Sequence, residues 1–325
     1  MDRPIGVTFA SLQALGPIAC LELAKEAEGL GYTSAWNAEV NGVEAFGFLG
    51  SLGASTSGMG LGTGVLALQL RTPPLLAMAA ATLQAIHPDR DIWVGVGISS
   101  PVVAGRWHGV PYGPRPLAKT REFLTLLRRC LSGDKVDFEG EFYTVKGFKL
   151  GVRLGDRRPQ IVLGALNERM LQLGGELADG VLLNYLPATH VPWSVEQVRR
   201  GGEARIHAYI HAGVCAWEGG VEAARYDLFS YAVVDSYARN FERAGFGPEV
   251  EAIRAAHAQR DRAGALLAVS DDMIDAIDFM GDAAGVSSRV RAYVDAGVDH
   301  PILFPLPWGP DRLAVAAATL AAAIA

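Results

Sequence analysis

Short apolar runs alternate with helix-like segments along the first third of the chain, and this alternation constrains the fold more than any other feature. The runs are IGVTFA from Ile5, TSAWNA from Thr33, GLGTGVLAL from Gly60 and IWVGVG from Ile92, with starts 28, 27 and 32 residues apart. Segments such as 17–30 and 73–86 carry apolar residues at helical spacing between them. Strands that alternate with helices at this interval predict βαβ units and a parallel sheet.

Four further apolar runs continue this pattern. They are QIVLGA from Gln160, DGVLLNYL from Asp179, RIHAYIHAGVCAW from Arg205 and HPILFPL from His300. Eight strands with helices between them fit a (β/α)8 TIM barrel better than an open doubly wound sheet.

The length of the chain predicts insertions into that barrel. A minimal barrel has about 250 residues, and two expected insertions near 132–158 and 218–284 hold the excess of the 325 residues. The first reads as a hairpin, and the second is nearly all helical in pattern from 220 to 284. No Gly-, Ser- or Pro-rich linker separates two halves, so we expect one domain over residues 1–325.

Composition and charge exclude several classes of protein. A net charge of −6 without a basic run predicts neither a nucleic-acid partner nor binding to an anionic membrane surface. The N-terminus lacks the order of a signal peptide, and no apolar run reaches membrane-spanning length, so we expect a cytoplasmic protein. Three widely spaced cysteines without a CxxC suggest neither a disulfide framework nor a cysteine-based zinc site.

In such a barrel the chemistry lies at the C-terminal ends of the strands. Glu39 is the one carboxylate at those predicted ends, and it either takes part in chemistry or caps a neighbouring helix. GVGISSP from Gly95 departs from GxGxxG at Ser100, so it is either a tight turn or a loop whose N–H groups meet a flat or anionic ligand. LGALNER from Leu163 leads into a helix that Asn167 can cap, which is typical of an anion site and of plain capping alike.

Two histidine-containing stretches have open interpretations. His207 and His211 lie four apart in a strand-like pattern without an evident third ligand, so we interpret them as packing residues and predict no metal site. Trp107 and His108 lie in a Gly/Pro-rich stretch after the fourth strand and either line a pocket or pack on the surface.

The third run carries glycine at 60, 62 and 64. Glycine weakens the interior of a strand, so its recurrence indicates that another backbone or a ligand comes close to this strand. From the residues alone we predict a barrel that binds a flat, phosphate-bearing cofactor between small-residue strand ends, and the reaction stays open.

Several stretches resemble the luciferase-like oxidoreductases, in particular their coenzyme F420-dependent branch. The most specific is SPVVAGRWHGVPYGPRPLAKTREF from Ser100, which resembles actinobacterial F420-dependent members. GYTSAWNAE, LGTGVLAL, DFEGEFYTVKGFKLG, LGALNERMLQLGGELADGVLLN and SDDMIDAIDFMG are similar to the methylenetetrahydromethanopterin reductase group. The resemblance extends over nearly the whole length.

This resemblance implies an enzyme, an F420-dependent oxidoreductase. It would transfer a hydride between the deazaflavin and a small organic substrate through a C=C, C=N or C=O bond or an alcohol. An FMN-dependent luciferase-like monooxygenase of the same fold is the alternative, and a non-catalytic deazaflavin-binding protein is a second one. The resemblance also implies a homodimer.

The resemblance assigns residues to the cofactor. It implies a non-prolyl cis peptide bond at Gly64–Val65 behind the deazaflavin ring, and a phosphate held by LGALNER. The implied cofactor-binding residues are Glu39, Gly64, Val65, Ala67, Gly97, Ile98, Gly164, Ala165, Asn167, Leu183 and Asn184. The candidates for a catalytic proton donor are Glu39, His108 and Tyr185.

Three positions depart from better-defined members of the family. Some relatives follow the acidic residue with a histidine, where this chain has Val40. Sugar-phosphate dehydrogenases have a glutamate at the place of Ser100, and methylenetetrahydromethanopterin reductases have one at the place of Thr8. Neither specific activity is therefore carried over to this chain.

Overall fold

Eight parallel strands close into a barrel in the computed structural model, which describes residues 4–325. The eleven strands of the described residues are β1 (Gly6–Thr8), β2 (Ser34–Asn37), β3 (Gly60–Ala67), β4 (Ile92–Gly97), β5 (Val136–Glu139), β6 (Thr144–Phe148), β7 (Gln160–Gly164), β8 (Gly180–Leu183), β9 (Arg205–Val214), β10 (Phe279–Gly281) and β11 (His300–Pro305), of which three (β5, β6 and β10) lie outside the barrel ring. Parallel pairing runs β1–β2–β3–β4–β7–β8–β9–β11 and returns to β1. The expected (β/α)8 fold is confirmed.

Helices surround this barrel and fill the second insertion. They are α1 (Pro17–Leu30), α2 (Ala45–Ser55), α3 (Pro73–Ile86), α4 (Pro116–Leu131), α5 (Glu168–Leu177), α6 (Val191–Gly201), α7 (Trp217–Ala232), α8 (Asp235–Phe241), α9 (Gly247–Ala258), α10 (Arg262–Leu267), α11 (Asp271–Ile277), α12 (Ala283–Asp295) and α13 (Arg312–Ile324). None of the helices that the structure describes is both long and apolar enough to cross a membrane.

Local sequence sets the bounds of the helices that flank the glycine-bearing strand. Gly31 ends α1 in the left-handed region at a φ of 101°, which glycine adopts without steric cost. The Thr72 side chain accepts a hydrogen bond from the Leu75 N–H at the start of α3, and Pro73 occupies its first turn. Both helices match the bounds that the sequence predicts.

Side chains that point into the barrel form a packed layer of their own. It joins Trp36 and Trp93, stacked with ring centroids 5.2 Å apart, to buried residues of four further strands. Those residues are Val162, Leu182, Tyr209 and Ile302. Because the barrel is filled below this level, the space for a ligand lies above it, at the C-terminal ends of the strands.

The two expected insertions contain the predicted kinds of element. Residues 136–148 form the expected antiparallel hairpin of β5 and β6. The second insertion is helical over most of its length, in α7 to α11, and in addition contains the short strand β10, which the pattern does not predict. β10 consists of three residues whose strand character comes from pairing with β9, and a run this short carries no periodic signal.

Strand β9 changes partner along its length. Its lower half pairs with β8 up to Leu183↔Ala208, and its upper half pairs with β10 from Phe279↔Ala212. The strand ends at Val214, short of the predicted Trp217, which begins α7. Beyond Leu183, β8 and β9 are no longer paired. The space between them contains polar side chains, among them Asn184 and His211.

Candidate functional site

The third barrel strand carries a bulge at its C-terminal end. The peptide bond Gly64–Val65 is cis, at the position that the family resemblance implies. The pairing of β3 with β4 shifts register between Thr63 and Leu66. Across the barrel, the Tyr209 hydroxyl donates a 2.6 Å hydrogen bond to the Gly64 carbonyl oxygen and so holds this bulge from below.

Val65 lies between two glycines of neighbouring strands. A Cβ atom on Gly97 would lie 2.9 Å from Val65 Cγ2, and one on Gly164 would lie 3.1 Å from Val65 Cγ1. Val65 is the one half-buried residue of β3, whose other residues are buried. The ends of β3, β4 and β7 therefore form a surface of small groups, which we call the Val65 shelf (Val65, Gly97 and Gly164), and its shape suits a flat ring.

Glu39 follows β2 and has several partners. Its Oε1 accepts hydrogen bonds from the Ala45 N–H at 3.1 Å and from Arg71 Nη2 at 2.6 Å. Its Oε2 accepts a further one from Arg71 Nε at 3.3 Å, and Arg71 also pairs with Glu44. Burial acts to lower the pKa of Arg71, but the bonds to Glu39 outweigh it and raise that pKa. Glu39 thus bonds to the first residue of α2 and is one half of a bidentate ion pair.

The loop after β7 leads into the N-terminus of α5. Asn167 occupies the N-cap position, but its side chain makes no capping hydrogen bond, so the capping prediction is wrong. Its Nδ2 instead donates to the Ser236 carbonyl oxygen at 3.2 Å, and its Oδ1 accepts from Arg243 Nη2 at 2.5 Å. The free N–H groups of the helix and the Arg243 guanidinium give this loop a positive potential that suits a phosphate.

Asn184 follows β8 and joins a buried polar cluster. Its Oδ1 accepts from the Tyr185 N–H at 2.9 Å and bonds to His211 Nε2 at 2.8 Å. His211 Nδ1 lies 2.9 Å from Asp278 Oδ1, and the Tyr185 hydroxyl donates to Asp227 Oδ2 at 2.8 Å. The structure therefore connects the end of β8 to carboxyl groups of the second insertion.

Burial governs the protonation of this cluster. It lowers the pKa of His211 to about 4. Burial and the neighbouring Asp278 raise the pKa of Asp227 to about 7, and burial raises that of Asp278 well above its usual range. Burial, followed by the nearby Asp227, also raises the pKa of Tyr185. Near neutral pH the cluster thus holds more protons than its residues would hold in water.

The segment after β4 is a π-helical turn over Val102–Trp107, where the sequence predicted a loop. Trp107 is exposed. His108 Nε2 lies 2.7 Å from the Val40 carbonyl oxygen, so this nitrogen carries the donated proton. The bond places the His108 ring beside the segment that contains Glu39.

The structure brings most of the sequence-predicted residues to one end of the barrel. Gly64, Val65, Gly97 and Gly164 are neighbours there, with Ala67, Ile98, Ala165 and Leu183 at the same strand ends. Tyr185 differs, because it is 2% exposed and its hydroxyl points to Asp227.

Sequence reasoning missed five residues that bond to this site or to the cluster beside it. They are Arg71, Tyr209, Asp227, Arg243 and Asp278. Asp278 lies in the quoted stretch SDDMIDAIDFMG, but neither this stretch nor any other local pattern marks the roles of the five residues, since each reaches its partner from a distant part of the chain. Tyr209 carried a partial signal, because it alternates with His207 and His211 along one strand and so shares their face.

The fold and the Val65 shelf define a TIM barrel with a surface of small groups at its strand ends. The family described as luciferase-like monooxygenase matches residues 10–300, so the chain belongs to that family. This confirms the resemblance identified from the sequence.

Known proteins with defined activities are similar to the chain. A 5,10-methylenetetrahydromethanopterin reductase from Methanolobus tindarius is 27% identical over 318 residues, which cover 94% of this chain and 95% of the relative. An F420-dependent glucose-6-phosphate dehydrogenase from Mycolicibacterium gilvum is 30% identical over 189 residues, 53% of this chain and 55% of the relative. The structure of the F420-dependent tetrahydromethanopterin reductase from Methanopyrus kandleri superposes with a TM-score of 0.80 at 24% identity, covering 99% of this chain and 98% of that one.

Proposed function

We propose that this chain is an F420-dependent oxidoreductase that transfers a hydride between the deazaflavin and a small organic substrate. The observation that carries the proposal is the Val65 shelf beside the positive N-terminus of α5. A planar ring on the shelf places its phosphate-bearing chain toward Gly164, Ala165 and the loop that ends at Asn167. The glucose-6-phosphate dehydrogenase and the Methanopyrus kandleri reductase named above are F420-dependent, which supports this cofactor over FMN.

The residues around the shelf have separate roles in this proposal. F420 supplies the hydride chemistry when it is bound. Tyr209 keeps the Gly64 carbonyl in place, and the Glu39–Arg71 pair fixes the side wall at the end of β2. Gly97, Ile98, Leu183 and Asn184 border the ring from neighbouring strands. Holding cofactor and substrate in contact geometry is the main contribution of the protein to the rate.

Among the three candidate proton donors we favour His108. Its side chain is exposed and is tethered through Nε2 to Val40, which leaves Nδ1 free to exchange a proton with the substrate. The carboxylate of Glu39 is paired with Arg71, and the hydroxyl of Tyr185 is buried against Asp227. The exchange of a proton by a positioned side chain contributes roughly 10²–10⁴-fold to such reactions.

The experiment that tests the proposed function is a titration of the purified protein with oxidised F420 and, in parallel, with FMN, followed by tryptophan fluorescence quenching. We expect F420 to bind at least about tenfold more tightly than FMN, a difference of roughly 1.4 kcal/mol. Binding of FMN alone supports the monooxygenase alternative instead. Tight F420 binding without turnover of enones, imines, ketones or alcohols supports the non-catalytic alternative.

A pair of glycine variants tests the shelf itself. In Gly97→Val the added side chain overlaps Val65, so the shelf loses its flat surface and F420 affinity falls. Gly151→Val is the matched control, because no atom lies within 4 Å of a Cβ at Gly151. Equal F420 affinity of the two variants contradicts the placement of the ring.

We also propose that the enzyme is a homodimer. Leu75, Met78 and Ile86 lie on one face of α3 and are exposed, although they are large and apolar. Such a stripe is typical of a surface that a second copy covers.

The domain organisation and the cellular location expected from the sequence also remain proposals. We propose that residues 1–325 form a single luciferase-like barrel domain with its two insertions. We further propose that the enzyme is cytoplasmic, in keeping with the unpaired state of Cys20, Cys130 and Cys215.

A further inference from the structure

Three potential metal ligands converge beside the barrel mouth. His211 comes from β9, Asp227 from α7, and Asp278 from the junction between α11 and β10. One ligand atom of each residue lies within 4.8 Å of the ligand atoms of the other two. Barrel and insertion thus contribute to a single cluster.

The hydrogen bonds of Asn184 determine which nitrogen of His211 is available. The Tyr185 backbone N–H can only donate, so the atom of the Asn184 amide that faces it is the oxygen. This oxygen also faces His211 Nε2, which must therefore carry a proton and donate it. In the neutral ring the lone pair is then on Nδ1, the nitrogen that faces Asp278. Metal-bound histidines are oriented in this way, with the other ring N–H donated to an oxygen.

The two carboxyl groups lack a cationic side chain. Asp278 is fully buried, and its Oδ2 has no nitrogen or hydroxyl donor among residues 4–325; the carboxyl group of Asp227 lies close enough to form a hydrogen bond with Asp278 when one of the two is protonated. Within the same range, no lysine or arginine forms an ion pair with Asp227 or Asp278. A buried carboxylate is costly unless it is protonated, paired or bound to a metal. The orientation of Asp227 is set by the hydroxyl of Tyr185.

We propose that His211, Asp227 and Asp278 form a binding site for a divalent transition-metal cation of the Zn²⁺ type. One dication neutralises two carboxylates, and a neutral imidazole adds no charge. A set of one nitrogen and two oxygens suits Zn²⁺ better than Mg²⁺ or Ca²⁺, which prefer oxygen ligands alone. This proposal departs from the sequence-based expectation of no metal site.

The geometry permits such an ion after a contraction of about an ångström. Ligand atoms arranged tetrahedrally around Zn²⁺ at about 2.0–2.2 Å lie roughly 3.3–3.6 Å apart, whereas the ligand atoms of this cluster lie within 4.8 Å of one another. Asp227 is half-buried, whereas His211 and Asp278 are buried, so Asp227 marks the side of the cluster from which an ion would enter. A bound ion connects α7 and the end of α11 to β9, so its expected role is to hold the second insertion against the barrel.

The test is isothermal titration of EDTA-treated, full-length protein with ZnCl₂, with MgCl₂ as the comparison ion, and thermal unfolding with and without Zn²⁺. We expect one Zn²⁺ per chain and a rise in Tm on the order of 5 °C at a hundredfold excess over Kd. In Asp227→Asn, which keeps an acceptor for the Tyr185 hydroxyl, we expect Zn²⁺ affinity to fall at least tenfold. The matched control Asp272→Asn removes an exposed carboxylate of α11 and should bind Zn²⁺ like the wild type.

Two outcomes overturn the proposal, and a second variant covers the case in which the first does not fold. Equal Zn²⁺ affinity of wild type and Asp227→Asn means that the ion binds elsewhere on the chain. No binding by the wild type at millimolar Zn²⁺ means that the cluster holds protons only. If circular dichroism shows that Asp227→Asn is unfolded, His211→Gln replaces it, with the same tenfold criterion. None of these measurements requires F420, so they do not depend on the proposed function.

Discussion

Tyr209 and Tyr32 make the same kind of hydrogen bond in different parts of the barrel. Tyr209 donates to the Gly64 carbonyl oxygen under the shelf, and Tyr32 donates to the Leu320 carbonyl oxygen in α13 at 2.9 Å. Both tyrosines are buried. Replacement of either by phenylalanine leaves a buried carbonyl without its partner, so the two changes form a matched pair.

We predict that Tyr209→Phe and Tyr32→Phe each lower the free energy of unfolding by about 1–2 kcal/mol. Only Tyr209→Phe should also weaken F420 binding, by about tenfold, because only this hydroxyl holds the bulge on which the ring packs. Urea unfolding and F420 titration of both variants measure the two effects. Equal F420 affinities of the two variants would contradict the assignment of Tyr209 to the cofactor site.

Buried histidines at the lower end of the barrel predict a loss of stability in acid. Burial lowers the pKa of His300 to about 3 and that of His207 well below its usual range. The unfolded chain binds these protons at a pKa near 6.5, so unfolding is favoured as pH falls from about 6.5 toward 3.

Between pH 7.5 and 5.5 we expect each of these histidines to remove about 1.4 kcal/mol from the free energy of unfolding. His300→Gln removes one titrating group, so its unfolding free energy should depend less on pH by about that amount. Urea unfolding at both pH values provides the comparison. Identical pH dependence in wild type and variant would contradict the assignment.

At the scale of single residues, the sequence predicts the features that depend on neighbouring residues in the chain or on a family motif. The glycines of the shelf lie at the strand ends that the pattern predicts, and the cis bond at Gly64–Val65 lies where the family resemblance implies it. The capping role of Asn167 is wrong, because Ser236 and Arg243 compete for its side chain from about 70 residues away. The ion pair of Glu39 with Arg71 and the contacts of His211 with Asn184 and Asp278 could not be predicted, because these partners also lie far away along the chain.

The N-terminus of α5 and the insertion meet at Arg243. Its guanidinium bonds to Asn167 Oδ1 and lies 4.9 Å from the ring centroid of Trp193. An anion at this helix end meets both the helix dipole and the arginine charge.

We predict that Arg243→Gln weakens F420 binding by about tenfold and reduces its dependence on salt, since one charge contact is lost. The matched control is Arg254→Gln, in the same insertion, which breaks an exposed pair with Asp235 and should leave F420 affinity unchanged. F420 titrations at low and high ionic strength measure both effects. If the phosphate of F420 binds elsewhere, the two variants will have the same F420 affinity and the same dependence on salt.

At the scale of elements, periodic segments were predictable and short ones were not. The bounds of α1 and α3 follow from their apolar spacing, proline starts and terminal signals. β10 was missed, because MIDAIDFMG reads as an apolar helical run and only pairing with β9 makes its last residues a strand. Tertiary contacts override local propensity most readily in such short segments.

For the molecule as a whole, the apolar face of α3 predicts its oligomeric state. We expect a dimer by light scattering at micromolar concentration, and we expect Met78→Glu to shift the mass toward that of the monomer. A charge placed in a covered apolar face is costly, whereas one on an open face is not.

The matched control for this prediction is Leu267→Glu, which places the same charge on another exposed apolar residue, in α10. It should leave the dimer intact. A monomeric wild-type protein, or a Met78→Glu variant that remains dimeric, would refute the assignment of this face.

The partner change along β9 has a consequence for the order of assembly during synthesis. Ala212 and its neighbours receive their edge partner only when residues 279–281 have left the ribosome, and β11 follows later still. Long-range pairings form slowly, because the chain between them must be ordered first. A nascent chain that stops before residue 279 therefore exposes an open strand edge beside His211, and this edge can pair with other strands until residues 279–281 are made.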